Sequence, residues 1–309
     1  MPPRPTSCSV IVPTRDRPAQ LARCLSALAA QTSPPGGFEV IVVDDGGELD
    51  PELVLDRHRA SLPIELVRQP PAGPAVARNR GAEAAAARLI AFIDDDAVPS
   101  SGWIERLLRA HQESPNRAVG GPIVALDPSS AYSRATQAIA DSARAARSSG
   151  APRFLSACNL AVPADRLREL GGFDGAFHVS EDRELCDRWL ERGWGIRFVP
   201  EAVVWHEHPV SLTEFWRTHL HYGRGAFAYH RRRAQGGRLG DGLQASRRTL
   251  REAFARGMRE PSLLPGIVVW QVGNACGAGL EAFASVRPGP QTASLPLRAR
   301  GRAPQPSLE

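Results

Sequence analysis

The chain has 309 residues, of which 42 % are hydrophobic and 23 % are charged, and this composition is ordinary for a globular protein with a buried core. The formal net charge is +5, and every basic side chain other than His is Arg, because the sequence contains no Lys. Arg pairs readily with phosphates and carboxylates, so this surface suits anionic partners; the base composition of the source genome is the alternative explanation. Five widely spaced cysteines without a C-x-x-C pair argue against a disulfide framework and a zinc knuckle.

Short apolar runs alternate with amphipathic stretches through the first hundred residues. Buried strands are predicted for residues 7–12, 39–43, 64–67 and 89–93. The helices predicted between and after them are one that follows Pro18, a short one opened by Asp50 and Pro51, one over residues 74–88, and one capped by Ser101 that runs to about residue 111. This alternation predicts an α/β fold with a mostly parallel, Rossmann-like sheet and helices on both faces.

The second half of the chain is less regular. Short helices are predicted for residues 163–170 and 182–192, each closed by glycine, and residues 196–208 have a strand pattern. From residue 211 the chain is predicted to be helical and is rich in Arg. Residues 263–284 are mainly apolar, but Gln271, Asn274 and several glycines interrupt the run, which favours a packed or interfacial helix over a membrane span.

We therefore predict three regions: a sheet-based domain over residues 1–210, a basic helical extension with an apolar segment over 211–285, and a disordered tail over 286–309, which is rich in Pro, Arg and Ser. The first seven residues contain no apolar signal segment. A cytosolic location is therefore the expectation.

Asp94, Asp95 and Asp96 form the strongest local feature, because three consecutive carboxylates follow a buried strand and repel one another. Ligand sites of open α/β sheets lie at such strand ends. A hard divalent cation, bound by one or two carboxylates together with phosphate oxygens, would relieve this repulsion. The alternative is an acidic turn that caps the next helix.

Other acidic and histidine motifs each have a functional and a structural interpretation. Asp44-Asp45-Gly46-Gly47 follows the second strand and could bind a base or a ribose, or form an ordinary Asp-Gly turn. Glu181 and Asp182 lie at a predicted helix start, where acidic caps are common. In a strand, His206 and His208 would point to the same side and could face one site. An exposed or hydrogen-bonded histidine pair is the other interpretation.

Taken in order, these motifs resemble the GT-A fold (nucleotide-diphospho-sugar transferase) glycosyltransferases, and in particular the inverting glycosyltransferase family 2. The resemblance covers roughly residues 7 to 208. It is carried by the segments at 10–18 (VIVPTRDRP), 42–47 (VVDDGG), 77–81 (ARNRG), 94–96 (DDD), 158–163 (CNLAVP), 171–174 (GGFD) and 180–182 (SED).

The resemblance implies a role for each matching residue. Asp182 would be the general base, which removes a proton from the acceptor hydroxyl. Phe173, Asp174 and Glu181 would lie on the acceptor side. Asp94, Asp96 and His206 would bind the metal. The nucleotide-sugar would be bound by Pro13, Thr14, Arg15, Asp45, Arg78 and Asp95.

The function implied is transfer of a sugar, with inversion, from a nucleotide diphosphate donor to an acceptor hydroxyl. The transfer would depend on Mn²⁺ or Mg²⁺, and the acceptor would be a glycan, a lipid-linked molecule or a small molecule. Such an activity would suit the synthesis of cell-envelope polysaccharide. The basic extension either binds the inner face of an anionic membrane or is a solvated helical surface. Without a recognisable nucleic-acid module, nucleic-acid binding is not expected.

Two alternatives come from other classes of protein. One is a non-catalytic relative that binds a nucleotide-sugar or a glycan. The other is a haloacid-dehalogenase-like phosphatase, because residues 94–98 also fit its D-x-D-x-[TV] motif. That motif normally follows the first strand, and those enzymes commonly hold the phosphoryl group with a Lys, which this chain lacks.

Overall fold

The structure is a computed structural model that describes residues 6–32, 36–145, 153–237 and 239–285, so the predicted tail at 286–309 lies outside the described residues. The strands are β1 (Cys8–Thr14), β2 (Phe38–Asp44), β3 (Ile64–Arg68), β4 (Leu89–Phe92), β5 (Ala97–Pro99), β6 (Ala118–Gly120), β7 (Ile123–Ala125), β8 (Leu160–Pro163), β9 (Ile196–Phe198) and β10 (Val204–His206). The helices are α1 (Pro18–Ala29), α2 (Glu52–Asp56), α3 (Pro74–Ala84), α4 (Trp103–Glu113), α5 (Ala131–Ala145), α6 (Ala164–Leu170), α7 (Glu181–Glu191), α8 (Leu212–Gln235), α9 (Leu239–Arg259) and α10 (Leu264–Ser285).

The main sheet of the described residues has seven strands in the order β3-β2-β1-β4-β8-β6-β9. The first four strands of this order are parallel, and β8 is inserted antiparallel between β4 and β6. Because β1, β2 and β4 are parallel, their carboxyl ends meet at one edge of the sheet. The residues that follow these three strands are therefore brought together.

Helices cover both faces of this sheet, as the alternating sequence predicted. On β1, Val10 and Val12 pack into one core with α1 and α4, whereas Ile11 points into a second core with α3 and α7. Both cores consist of buried aliphatic, aromatic and cysteine side chains. Strands buried on both faces give continuous apolar runs, which is why these strands could be recognised in the sequence. The predicted α/β fold is confirmed.

A second sheet of three strands, in the order β5-β10-β7, lies next to the end of β4. Strand β10 pairs antiparallel with β5, and in this register His206 lies opposite Ala97, the residue after Asp96. The prediction of one strand over residues 196–208 is wrong. The chain turns at residues 199–202, between β9 in the main sheet and β10 in the second. The Ala202 N–H donates to the Val199 carbonyl at 3.1 Å and closes this turn.

Helix starts differ from the sequence expectations at two positions. Ser101 does not cap α4, because the residue before the helix is Gly102 in a left-handed conformation and no side chain caps it. Helix α7 begins at Glu181 rather than Asp182, and Ser180 before it is also left-handed, with φ +68°. The helix predicted over residues 74–88 ends at Ala84.

The extension begins with a capping box, in which Ser211 and Glu214 exchange side-chain and backbone hydrogen bonds. Helix α8 then packs along α10. A Cβ at Gly223 or Gly277 would overlap with the backbone of the facing helix, so both helices depend on glycine for their close approach. Residues 261–285 are long and apolar enough for a membrane span by length and composition, although part of this segment is buried against the protein.

Candidate functional site

The carboxyl ends of β1, β2 and β4 form an acidic edge. The Thr14 hydroxyl at the end of β1 donates a hydrogen bond of 2.7 Å to Asp95, and Arg17 donates to Asp95 at 3.3 Å and to Asp96 at 2.8 Å. Burial and the neighbouring Asp96 raise the pKa of Asp95 to about 6, although Thr14 and Arg17 oppose the shift. Arg17, to which the sequence reasoning gave no role, thus partly neutralises the three carboxylates.

Asp45 lies at the end of β2, where its carboxylate organises the following loop. It accepts hydrogen bonds from the Gln69 side chain at 2.7 Å and from the backbone N–H groups of Ala72 and Gly73 at 2.8 and 2.9 Å. These contacts favour a structural contribution from Asp45. Any contact of Asp45 with a base or a ribose stays a prediction.

The remaining predicted nucleotide residues of β1 lie at the same edge. Pro13 is half-buried at the end of the strand, and Arg15 is exposed just after it. A small cleft lies next to them, and its lining includes Thr14, Asp44 and Pro51. The cleft is shallow, and nucleotide binding at this edge stays a prediction.

His206 lies close to both Asp94 and Asp96, and a metal role for these three residues stays a prediction. His206 Nε2 lies 3.0 Å from Asp96 Oδ1 and 3.9 Å from Asp94 Oδ2. Asp96 Oδ1 is buried without a hydrogen bond of good geometry, so it has a free acceptor lone pair for a cation. One imidazole and two carboxylates form a donor set that fits Mn²⁺ or Mg²⁺.

Cys158 is the fourth side chain at this point, because ligand atoms of Asp94, Cys158 and His206 all lie within 4.8 Å of one another. Burial raises the pKa of the Cys158 thiol well above its usual value. A neutral thiol is a poor ligand for a hard cation. Cys158 therefore packs against the site, and the oxygen and imidazole ligands fit a metal better.

The pKa values of His206 and Asp96 move in opposite directions because the two side chains face each other. Burial opposes protonation of His206, but Asp96 and Asp94 outweigh it and raise the pKa of His206 to about 9. The pKa of Asp96 is lowered, because His206 and Arg17 together outweigh the effect of burial. In the absence of a cation, the imidazolium compensates the charge of the carboxylates.

Arg78 joins the acidic edge to the start of α7. This fully enclosed guanidinium donates to Asp94 at 2.8 Å and to Glu181 at 2.6 Å, and it lies 5.7 Å from the centre of the Phe173 ring. The pKa of Glu181 is raised, since burial and Asp182 outweigh this ion pair. The structure thus places Arg78 between Asp94 and the start of α7, and its contact with the nucleotide-sugar stays a prediction.

Asp182 lies in the first turn of α7, half-buried. Its carboxylate accepts hydrogen bonds from the backbone N–H groups of Arg183 at 2.8 Å and of Ala157 at 3.3 Å. Burial nevertheless raises the pKa of Asp182, against the effects of Arg183 and Arg78. A raised pKa makes the carboxylate a stronger base, and this suits proton abstraction from a hydroxyl.

The segment around Phe173 is held against α3 by a reciprocal pair of hydrogen bonds. The Asn79 side chain donates to the Phe173 carbonyl and accepts from the Phe173 N–H, both at 2.8 Å. Asp174 lies 3.7 Å from Arg232 of α8. The ARNRG motif therefore positions the segment around Phe173, while its Arg78 reaches the carboxylates. An acceptor role for Phe173 and Asp174 stays a prediction.

Helix α8 packs against the segment that precedes Glu181 and Asp182, a contact that the sequence reasoning missed. Gly225 packs directly against Val179, just before Glu181 and Asp182. Tyr222, one turn earlier on the same side of α8, is 47 % exposed. Burial of its hydroxyl and the carboxylates of Asp94 and Asp182 raise the pKa of Tyr222. Tyr222 is thus a partly exposed aromatic residue that lies near enough to Asp94 and Asp182 for their charges to act on it.

The fold and this acidic edge define the GT-A class of nucleotide-diphospho-sugar transferases. The structure is similar to a mannosyltransferase from Pyrobaculum calidifontis, solved in complex with GDP-Man and Mn²⁺, with a TM-score of 0.61, 18 % identity and coverage of 92 % of this chain and 81 % of the other. It is also similar to S. aureus TarS 1-349 in complex with UDP, with a TM-score of 0.51, 17 % identity and coverage of 72 % and 65 %.

The chain belongs to glycosyltransferase family 2. The model of Glycosyl transferase family 2 matches residues 9–162, and that of Glycosyl transferase family group 2 matches residues 89–269. This membership places the triple Asp in a glycosyltransferase rather than in a dehalogenase-like phosphatase.

Curated relatives cover different parts of the chain. A pre-mycofactocin glycosyltransferase of Mycobacterium tuberculosis is 32 % identical over 238 residues, which are 72 % of this chain and 49 % of the relative. A validoxylamine A glucosyltransferase of Streptomyces hygroscopicus subsp. limoneus is 38 % identical over 123 residues, 39 % of this chain and 27 % of the relative. The chain therefore spans about half, or less, of the length of these relatives.

Proposed function

We propose that this protein is an inverting glycosyltransferase that transfers a sugar from a nucleotide diphosphate donor to an acceptor hydroxyl and depends on Mn²⁺ or Mg²⁺. The observation that carries the proposal is the convergence of Asp94, Asp96 and His206 at the strand edge, with Asp182 next to them across the Arg78 bridge. The named activities of the relatives support glycosyl transfer.

The donor would lie along the acidic edge. Its nucleoside part would occupy the cleft beside Thr14 and Asp44, and its diphosphate would approach Asp94 and Asp96. A divalent cation held by Asp94, Asp96 and His206 would supply positive charge to the departing diphosphate. Arg17, which already contacts Asp95 and Asp96, adds a second positive charge on the solvent side.

The acceptor would enter from the side of α8. Asp182 would accept the proton of the attacking hydroxyl as that oxygen bonds to the anomeric carbon and the bond to the diphosphate breaks on the opposite face. Arg78 keeps the α7 start at a fixed place relative to Asp94. The ring of Tyr222 would contact the apolar face of the acceptor.

Asp182→Asn tests the assignment of the base, because it removes the proton acceptor and keeps the shape of the side chain. We expect the rate of transfer to fall at least about a hundredfold. The rate is measured as release of the nucleoside diphosphate from UDP-, GDP- and dTDP-sugars in the presence of candidate acceptors. Donor affinity should remain. Asp165→Asn is the matched control, since Asp165 also lies in a first helical turn and accepts the next backbone N–H, at 2.9 Å.

Full transfer activity in Asp182→Asn would exclude Asp182 as the base. Tight donor binding by the wild-type protein without turnover of any donor would instead indicate the non-catalytic, nucleotide-sugar-binding relative. We further propose a glycan or lipid-linked acceptor of the cell envelope. A location in the cytosol, with contact to the inner face of the membrane, remains a prediction.

A further inference from the structure

The outer side of α10 is apolar along its length. Val268, Val272, Leu280 and Phe283 are between 46 % and 65 % exposed. The single charged residue of this helix is Glu281, which is half-buried. At 1.5 Å per residue, the exposed apolar side extends over roughly 25 Å. Such a continuous apolar surface indicates an interaction site.

Helix α9 extends this apolar surface. Phe254 and Met258 are separated by one turn and are 36 % and 73 % exposed. Gly257, between them, packs against Leu264 and Ile267 at the start of α10. The exposed side chains of α9 thus lie beside the start of the α10 surface.

The inner side of α10 is held by the protein. Gly273 and Gly277 pack against the backbone of α8 near His219 and Leu220, and Ile267 is fully buried. Lipid cannot surround α10 while these contacts exist. The helix therefore presents one side to an apolar phase and lies along it rather than across it.

The charge next to this surface is positive. Arg217, Arg224 and Arg231 of α8 are spaced by seven residues, so they share one side of the helix, and all three are exposed. None of them forms an ion pair with another described residue. The Arg224 backbone contacts the inner side of α10 at Gly277, so the helix that carries this row of arginines is the direct neighbour of α10.

The charge is also unevenly distributed along the sequence. Residues 211–285 contain 11 Arg and 5 acidic residues, whereas residues 1–210 contain 23 Arg and 27 acidic residues. An apolar helix side bordered by arginines fits a lipid surface with anionic headgroups. A second copy fits less well, because a symmetric contact through α10 would bring two rows of arginines together.

We propose that the extension binds the surface of an anionic lipid bilayer. The outer side of α10 enters the headgroup region with the helix axis parallel to the membrane, and Arg217, Arg224 and Arg231 contact the anionic headgroups. Tyr222 and Gly225 lie three residues apart on one side of α8, where Gly225 packs against Val179, and Arg224 lies on another side of the helix. If the proposed function holds, the site lies across α8 from these arginines, about one helix diameter of 10 Å away, and a lipid-linked acceptor would reach it past this helix.

Vesicle flotation tests this proposal with the full chain and two kinds of vesicle, one of phosphatidylcholine alone and one with a third of phosphatidylglycerol. We expect binding to the anionic vesicles that weakens with salt. Two variants should each lower the partition coefficient at least about tenfold. One combines Val272→Asp with Phe283→Asp, and the other combines Arg217→Gln, Arg224→Gln and Arg231→Gln. Leu53→Asp, at a 74 % exposed position of α2, is the control and should bind like the wild type.

Equal binding of both kinds of vesicle, or binding that neither set of substitutions weakens, would overturn the proposal. Absence of vesicle binding together with a dimer in solution that Val272→Asp dissociates would assign the α10 surface to a second copy. The shift in melting temperature with nucleoside diphosphate and Mn²⁺ is measured on the same variants. A retained shift shows an intact fold and keeps a failure of membrane binding separate from a failure of the proposed function.

Discussion

Arg78 is the residue on which the geometry of the site depends most directly. Its side chain is almost completely buried, and it bonds Asp94 and Glu181, which are 87 residues apart in the chain. A planar guanidinium can donate to two carboxylates in fixed directions, whereas an ammonium cannot reach both with the same geometry. The distance between the candidate metal residues and the candidate base is thus set by one side chain.

Arg78→Lys keeps the positive charge and removes the simultaneous hydrogen bonds to Asp94 and Glu181. We expect the free energy of unfolding to fall by about 2 kcal/mol and transfer to fall at least about tenfold, because the start of α7 loses its connection to Asp94. Urea denaturation and initial rates measure the two effects. Arg80→Lys, two residues along the same helix and exposed, is the control, and equal losses in both variants would contradict the argument.

Asp96 has a different part in the site, since its Oδ1 atom is buried and has no hydrogen bond of good geometry. Asp96→Asn should remove the effect of Mn²⁺ on nucleoside diphosphate affinity, because an amide is a weaker ligand than a carboxylate. Calorimetric titration with and without EDTA gives this effect directly. Asp56→Asn, at an exposed position of α2, should leave it unchanged. A full Mn²⁺ effect in Asp96→Asn would remove Asp96 from the metal site.

Among the helices, the contact between α8 and α10 depends on glycine. A Cβ at Gly277 would overlap with the Leu220 carbonyl, whereas one at Gly279, two residues later, meets nothing within 4 Å. Gly277→Ala should therefore lower the free energy of unfolding by about 1–3 kcal/mol. Gly279→Ala should raise it by up to about 1 kcal/mol, because Ala favours the helix. Thermal or urea denaturation measures both, and the same sign for both variants would contradict the packing described.

His219 gives the contact between the same helices a pH dependence. It is buried against Phe215, with ring centroids 4.3 Å apart, and both ring nitrogens are without a hydrogen bond. Burial lowers the pKa of His219 to about 4, below the value near 6.5 of an unfolded chain. The unfolded state thus binds the proton more tightly, so this stability is complete above pH 6.5 and is lost as the pH falls towards 4.

His219→Phe removes this titration. Between pH 7.5 and pH 5, the wild type should lose about 2 kcal/mol more of its free energy of unfolding than the variant loses. Urea denaturation across this range measures the difference. The two proteins must be compared because burial also lowers the pKa of His208. His208 is present in both proteins and contributes equally to the pH dependence of their stability. Identical pH profiles would show that His219 is not buried as a neutral side chain.

For the whole molecule, ligand binding should appear as stabilisation, because a ligand that binds only the folded state shifts the folding equilibrium. A nucleoside diphosphate at a hundred times its dissociation constant adds about 2.7 kcal/mol. We expect one nucleoside diphosphate of a UDP, GDP and dTDP panel to raise the melting temperature by several degrees with Mn²⁺ and to lose this effect in EDTA. A shift that is unchanged by EDTA would contradict metal dependence.

Much of the fold could be predicted because its strands are buried on both faces. Four apolar runs gave β1 to β4 within one or two residues, and the helix faces of α1 followed from Leu21, Cys24, Leu25 and Leu28. Strands β5, β6, β7, β9 and β10 have only three residues each. Three residues are too few to show a period of two, so β5, β6 and β7 were not predicted, and β9 and β10 were predicted as a single strand over residues 196–208.

The sequence by itself determined the family and the strand ends that carry Thr14, Asp44 and Asp94, since hydrophobic periodicity and local motifs act over a few residues. Only the tertiary structure decided that Arg78 pairs with Glu181, that Cys158 faces His206, and that Tyr222 borders the site. These contacts join residues far apart in the chain. They arise from the order of the strands and the packing of α8, and no local pattern of side chains encodes either.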